Sequence, residues 1–232
     1  CGYAAVWIWD AVANPAGRRG RYLRFKMQAP NQTHRTHMKT TLKQSDYQRA
    51  ADALQATRPQ VQAVAQVEAP GSGFLDDGQV KILFEAHHFA RLTGHKYNAT
   101  HPRISSPRWN RKLYIGGSGE HKRLQQAVTL NRNAALQSAS WGKFQIMGFN
   151  YRLAGFASVQ AFINAMVSGE PAQLDAFVAF VKNSHLADEL RKIASSPASC
   201  APFAEGYNGP GYAVQNYHGK IAAAYKSLGG DR

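Results

Sequence analysis

Glu68 closes a short helical stretch, Pro59-Gln-Val-Gln-Ala-Val-Ala-Gln-Val-Glu68, and a breaker run, Ala69-Pro-Gly-Ser-Gly73, follows at once. At helical spacing Val61, Val64, Ala65 and Glu68 share one stripe, while Gln60, Gln62 and Gln66 fall on the other side. A carboxylate on an apolar stripe loses water around its charged form. It also faces the negative end of the helix dipole, and both effects raise its pKa. A carboxyl still protonated near neutral pH can protonate the oxygen of a glycosidic bond. The pattern alone leaves a second reading open, in which Glu68 bends out into solvent.

Three further segments carry groups with chemical potential. In Ser138-Ala-Ser-Trp-Gly-Lys-Phe-Gln-Ile-Met-Gly-Phe-Asn150, small residues and Gly142 imply a tight, buried backbone passage. The Gln145 amide there can donate to and accept from a sugar amide; a plain helix-to-helix corner fits the same residues. In Gly206-Tyr-Asn-Gly-Pro-Gly-Tyr212, three glycines and a proline fix a sharp loop with Tyr207 and Asn208 as polar tips, or simply a turn. Phe84-Glu-Ala-His-His88 clusters a carboxylate with imidazoles, but its spacing is not that of a zinc hydrolase. Pairing of Glu85 with the neighbouring histidines is the expectation, and neither a metal nor a cofactor is expected. Cys200, in Ser-Cys-Ala-Pro, has no paired-His signature and reads as a buried, inert thiol. No Gly-rich phosphate loop follows a strand, and no nucleic-acid-binding module is recognisable.

Val64-Ala-Gln-Val-Glu-Ala-Pro-Gly-Ser-Gly-Phe74, Lys81-Ile-Leu-Phe-Glu85, Ser138 through Gly148, and Tyr207-Asn-Gly-Pro together resemble the N-acetylmuramidase domain of phage and prophage endolysins. Their order and spacing match as well, from about Ser45 to about Leu228. The blocks are also similar to the Glu-Ser, Gly-Leu-Met-Gln and Ala-Tyr-Asn motifs of soluble lytic transglycosylases. The resemblance implies a lysozyme-like fold and cleavage of the β-1,4 bond after N-acetylmuramic acid in peptidoglycan. It maps the catalytic acid onto Glu68 and cleft-lining roles onto Gln145 and Tyr207, the tyrosine orienting the acid. Ser138 and Asn208, in the same blocks, are counted with them as substrate-binding candidates. The family usually has Ser after the catalytic Glu, where this chain has Ala69, so a hydrogen bond from that side chain is in doubt.

Glycosidases commonly work with two carboxyls, about 5–5.5 Å apart for retention and about 6.5–9.5 Å apart for inversion. Glu85 is the candidate second carboxylate or orienting residue; Asp76 and Asp77 read as solvated turn residues. Without a second carboxyl, the muramic acid 6-hydroxyl attacks instead and leaves 1,6-anhydro ends, the outcome of a lytic transglycosylase. A further alternative is a non-catalytic, basic envelope-binding protein.

The elements that must position these groups are mainly helical. Ser45 and Gln48 fit a capping box opening a helix that stops before Pro59. Val80, Ile82 and Phe84 alternate as one face of a strand, giving a small β region near residues 79–85, and a helix containing His87, His88, Phe89 and Leu92 follows. Residues 94–122 read as a long irregular segment, and helices are expected over 123–139, 156–167, 171–184, 186–196 and 212–228. Phe177, Phe180 and Val181 form a core stripe in the third of these. The expected class is mainly α within an α+β, lysozyme-like fold.

The chain has 232 residues, 44% of them hydrophobic, enough for one full core. Its net charge of +14 points to a polyanionic partner: nucleic acid, an anionic envelope surface or a charged polysaccharide. Residues 1–37 hold Arg18, Arg19, Arg21, Arg24, Lys26 and Arg35 against Asp10 alone. They read as a basic, disordered extension that matches no peptidoglycan-binding domain, ahead of a catalytic domain over 38–232. An envelope-binding arm, a solvated tail, or residues translated upstream of a start at Met38 all fit them. No apolar run is long enough to span a bilayer, and the basic cluster follows the apolar start instead of preceding it. The expectation is therefore a monomer made in the bacterial host cytoplasm without a signal peptide. Its place of action is peptidoglycan glycan strands in the periplasm, with no specific nucleic acid as partner.

Overall fold

The computed structural model describes residues 40–231; the basic extension over 1–37 and its boundary with the catalytic domain lie outside the described residues. The first helix, α1 (Gln44–Leu54), begins slightly earlier than the Ser45 box implies. The reciprocal bond at its start runs from the Lys43 N–H to the Asp46 carboxylate, 2.8 Å away. Next comes α2 (Arg58–Glu68), with Pro59 in its first turn and the Thr57 N–H donating to Gln60 Oε1 at 2.8 Å. Val61, Val64 and Ala65 are buried as the periodicity requires. Gln60 departs from it: the residue is only 5% exposed. Its amide donates to the carbonyls of Arg191 (2.6 Å) and Ile193 (3.0 Å), which is what allows a polar group into the core.

After the turn at residues 69–78, β1 (Ile82–Phe84) leads into α3 (Ala86–Leu92). An irregular stretch then runs to α4 (Ser118–Gln137). That helix breaks at Asn131, whose φ of −158° is extended, and the Asn131 side chain caps the restart by accepting from the Ala134 N–H at 3.0 Å. The segment from Ser138 to Asn150 holds β2 (Ala139–Trp141) and β3 (Ile146–Met147). The sheet order is β1-β2-β3, antiparallel throughout, with Leu83 opposite Ser140 and Ser140 opposite Met147. Strands of three and two residues are too short to announce themselves by alternation, so only β1 was legible.

The C-terminal half is helical: α5 (Val159–Ser168), α6 (Glu170–Asn183), α7 (Ala187–Arg191), α8 (Pro197–Asn208) and α9 (Tyr217–Ser227). Leu174, Phe177 and Val181 form the buried stripe of α6. Phe177 stacks on Phe144, with ring centroids 4.4 Å apart, tying α6 to the β2–β3 turn. The helix α8 is a correction to the sequence reading, which placed Tyr207 and Asn208 on a loop. Both are the last residues of this helix, despite Pro202 within it and Gly206 near its end. Ser196 caps its start, accepting from the Ser199 N–H at 3.2 Å. Burial of Cys200, Phe203 and Ala204 outweighs the ~3 kcal/mol that an internal proline costs a helix. Both α8 and α2 pack on α9, which brings two helix C-termini, Glu68 and Asn208, to one place.

Candidate active site

Glu68 is half-buried at the end of α2 and lines a cleft of about 340 Å³ together with Pro70, Ile82, Gly117 and Gln145. Burial pushes its carboxyl up from 4.5 to about 7, against two opposing influences. These are a hydrogen bond from Asn208 Nδ2 to Glu68 Oε1 (2.8 Å) and the charge of Lys220. The Oδ1 atom of the same Asn208 amide is buried without a hydrogen-bond partner. Near pH 7 this carboxyl is therefore divided between its acid and its carboxylate, able to give or take a proton.

The breaker run behind Glu68 is pinned from three sides. Lys81 Nζ donates to the Pro70 carbonyl at 3.1 Å, and Lys143 Nζ to that of Gly71. From the start of α6, the buried Glu170 carboxylate accepts from the Gly73 N–H (2.6 Å) and the Ser72 hydroxyl (3.0 Å) with one oxygen. Its other oxygen accepts from the Leu42 N–H at 3.0 Å. Burial lowers the Lys143 pKa, while the Glu170 charge holds it up. Sequence pattern missed this apparatus, because a glutamate opening a helix looks like an ordinary dipole partner.

Gln145 sits in the β2–β3 turn at a φ of 45°, where its amide is spent locally. Its Oε1 accepts from the Ser140 hydroxyl at 2.7 Å, and its Nε2 donates to the Gly142 carbonyl at 2.8 Å. Gly142 has a φ of +72°, and a Cβ there would stand 2.6 Å from Cδ of Gln173, so no other residue fits the turn. Tyr207, near the end of α8, packs against Phe177 and Phe180 of α6. It stacks on Phe203 with centroids 5.4 Å apart, and its hydroxyl donates to the Phe144 carbonyl at 2.7 Å. Burial and then the nearby Glu68 charge raise its pKa well above the ordinary value. The direct partner of Glu68 is thus Asn208, one residue further on than the tyrosine expected to orient it.

Ser138 is corrected. It is fully buried, its hydroxyl donates to the Ala134 carbonyl at 2.6 Å, and its own carbonyl accepts from the Glu85 N–H at 2.9 Å. It ends α4 and holds β1, away from any surface that a substrate could meet.

Glu85 caps α3 and is held by Tyr114, whose hydroxyl lies 2.8 and 2.7 Å from its two oxygens. His87 Nδ1 stands 3.2 Å away, so the expected pairing with a neighbouring histidine is present. Burial and the Glu85 charge raise the Tyr114 pKa. Tyr217, on α9, is pushed up to about 12 by burial and by the charges of both Glu68 and Glu85, which sets it within electrostatic reach of the two carboxyls. His88 is lowered to about 4 by burial, next by His87 and Arg91, so it is neutral at physiological pH. Glu120 also lines the Glu68 cleft, but it is saturated. It accepts from the N–H groups of Ile115 (2.7 Å), Gly116 (3.1 Å) and Phe84 (3.1 Å) and pairs with Arg123 at 2.7 Å. Among the described residues no group of three or more His, Cys, Asp or Glu is placed to hold a metal ion, and no helix is long and apolar enough to cross a membrane.

The solved structure described as "Crystal structure of Burkholderia AP3 phage endolysin" is similar to this chain at 38% identity. The match covers 82% of this chain and 71% of that one, with a TM-score of 0.70. Among curated proteins, none matches. The family model described as Muramidase: N-acetylmuramidase matches residues 57–229, which span the Glu68 turn, β1, the β2–β3 hairpin and the end of α8. With most of its length so matched, the chain belongs to the N-acetylmuramidase family, glycoside hydrolases acting on peptidoglycan.

Proposed function

We propose that this muramidase cleaves the β-1,4 bond between N-acetylmuramic acid and N-acetylglucosamine, with Glu68 as the general acid. The observation that carries the assignment is a half-buried cleft carboxyl pushed to about 7, protonated in a useful fraction of molecules at neutral pH. Its proton goes to the leaving glycosidic oxygen as positive charge develops at the muramic acid anomeric carbon. Asn208 holds the carboxyl in place and stabilises the carboxylate that remains. Gln145 and Tyr207 shape the cleft and the helix end beneath it. Glu85, bonded by Tyr114 and His87, acts as an orienting residue.

Parent enzyme on purified sacculi is expected to release muropeptides with reducing muramic acid ends. Glu68→Gln is expected to be slower by roughly 10²–10⁴-fold, the usual worth of a positioned acid. Undiminished digestion by Glu68→Gln would remove the assignment. One observation favours a second reading, the 1,6-anhydro outcome. Glu120, the other carboxyl on the wall of the Glu68 cleft, already has both oxygens occupied. Anhydro ends in the product profile would establish that reading.

The net charge of +14 supports retention at an anionic envelope, with residues 1–37 as a basic arm. The proposed place of action is the periplasm, after synthesis in the host cytoplasm and as a monomer. A chain starting at Met38 should bind sacculi less tightly at low salt if the arm contributes.

A further inference from the structure

The loop over residues 103–117 crosses from α3 to α4 and supplies Gly116 and Gly117 to the wall of the Glu68 cleft. It contains Arg103, Arg108, Arg111 and Lys112 and no acidic residue. Arg108, Arg111 and Lys112 are exposed, and none of the ion pairs among the described residues involves them. Between them stands Trp109, 52% exposed. That exposure leaves aromatic surface free to meet a ligand, next to three exposed cations.

This loop is held firmly. Glu120 takes the Ile115 and Gly116 N–H groups, and Arg123 donates to the Arg103 carbonyl at 3.1 Å. The Ser106 hydroxyl donates to the Arg108 carbonyl at 2.7 Å, and Asn110 accepts from the Lys112 N–H at 3.0 Å. The Trp109 indole N–H donates to the Tyr114 hydroxyl at 2.8 Å, with the rings in a T-shaped contact at 6.4 Å. Tyr114 is in turn fastened to Glu85. A fixed indole with an open face, flanked by unpaired cations, loses little entropy on meeting a ligand.

We propose that this loop is a subsite for peptide-bearing glycan. Trp109 takes the C–H face of a sugar ring, and Arg108, Arg111 and Lys112 take carboxylates of the peptide stem attached to muramic acid. The inference rests on the muramidase reading above and adds a preference for substituted over naked strands. An aromatic face attracts polarised C–H groups, and guanidinium groups pair with carboxylates in bidentate geometry.

The test compares the full chain on intact sacculi with the same sacculi stripped of stem peptides by an amidase. Replacing Arg108, Arg111 and Lys112 by Ala together is expected to raise KM on intact sacculi roughly tenfold, the sum of three partly exposed ion pairs. KM on stripped strands and kcat on both should stay as in the parent. Trp109→Ala is expected to raise KM on both substrates roughly tenfold, with Trp109→Tyr restoring most of it. A control lacking Arg132, Lys182 and Lys192 removes equal charge elsewhere. Equal rises on both substrates for the loop triple variant, no rise at all, or an equal rise for the control would overturn the peptide assignment. An unchanged KM for Trp109→Ala would overturn the sugar platform. Failure of the parent to release muropeptides from either substrate would instead remove the muramidase reading itself.

Discussion

Asn208 donates from Nδ2 to Oε1 of Glu68 over 2.8 Å, although 140 positions separate them in the chain. Each is the last residue of its helix, α8 and α2, and both helices lean on α9. The bond favours the charged carboxyl while burial favours the neutral one, and burial wins, leaving Glu68 at about 7. Four predictions concern this balance and its supports.

The rate on sacculi should fall as pH rises through about 7, because the acid form of Glu68 is then lost. Asn208→Ala removes an influence that lowers the Glu68 pKa, so the alkaline limb of kcat/KM should move to higher pH. The pH profile of the two proteins is the measurement. A limb that stays in place would separate Asn208 from the titration.

Glu68 also carries a stability signature. Its folded pKa of about 7 lies above the ordinary 4.5, so its contribution is fully present below about 4.5 and is lost as pH rises through about 7. Glu68→Gln has no such loss. It should match the parent in urea unfolding near pH 4.5 and exceed it by about 2–3 kcal/mol near pH 8.5. Equal stability at both pH values would mean that the carboxyl is not held away from water.

Glu170→Ala leaves three donors, on Leu42, Ser72 and Gly73, without their acceptor. A loss of about 3 kcal/mol in urea unfolding is expected. Glu170→Gln keeps one acceptor oxygen and should lose less. Activity of Glu170→Gln should also fall, since the Ser72–Gly73 turn sits directly behind Glu68.

Glu85→Gln should slow sacculus digestion by about tenfold, far less than Glu68→Gln, since Glu85 is tied to Tyr114 and His87. A loss as deep as that of Glu68→Gln would make Glu85 the second working carboxyl.

Where local pattern governs, the chain was readable. The apolar stripe of α2, the alternation through Ile82 and Phe84, and the α6 stripe all emerge as expected, because burial repeats with the period of the element. Reading failed where a distant partner decides. Gln60 lies inside because the carbonyls of Arg191 and Ile193 receive it. Ser138 is buried where its carbonyl receives the N–H of Glu85, far from it in the chain. The helix α8 hides behind Pro202 and Gly206, both poor helix formers, and is carried by the burial of Phe203 and the stacking of Tyr207.

The sequence by itself determined that a carboxylate would end the apolar stripe of α2 and that a glycine-rich turn would follow it. Spacing within a few residues is enough for that. Tertiary structure alone decided the partner and the proton affinity of this carboxylate. Those depend on α8 and α9 closing over α2, on Asn208 arriving from the far end of the chain, and on the water that this packing removes. Desolvation and long-range hydrogen bonding are properties of assembled surfaces, and no local window of sequence contains them.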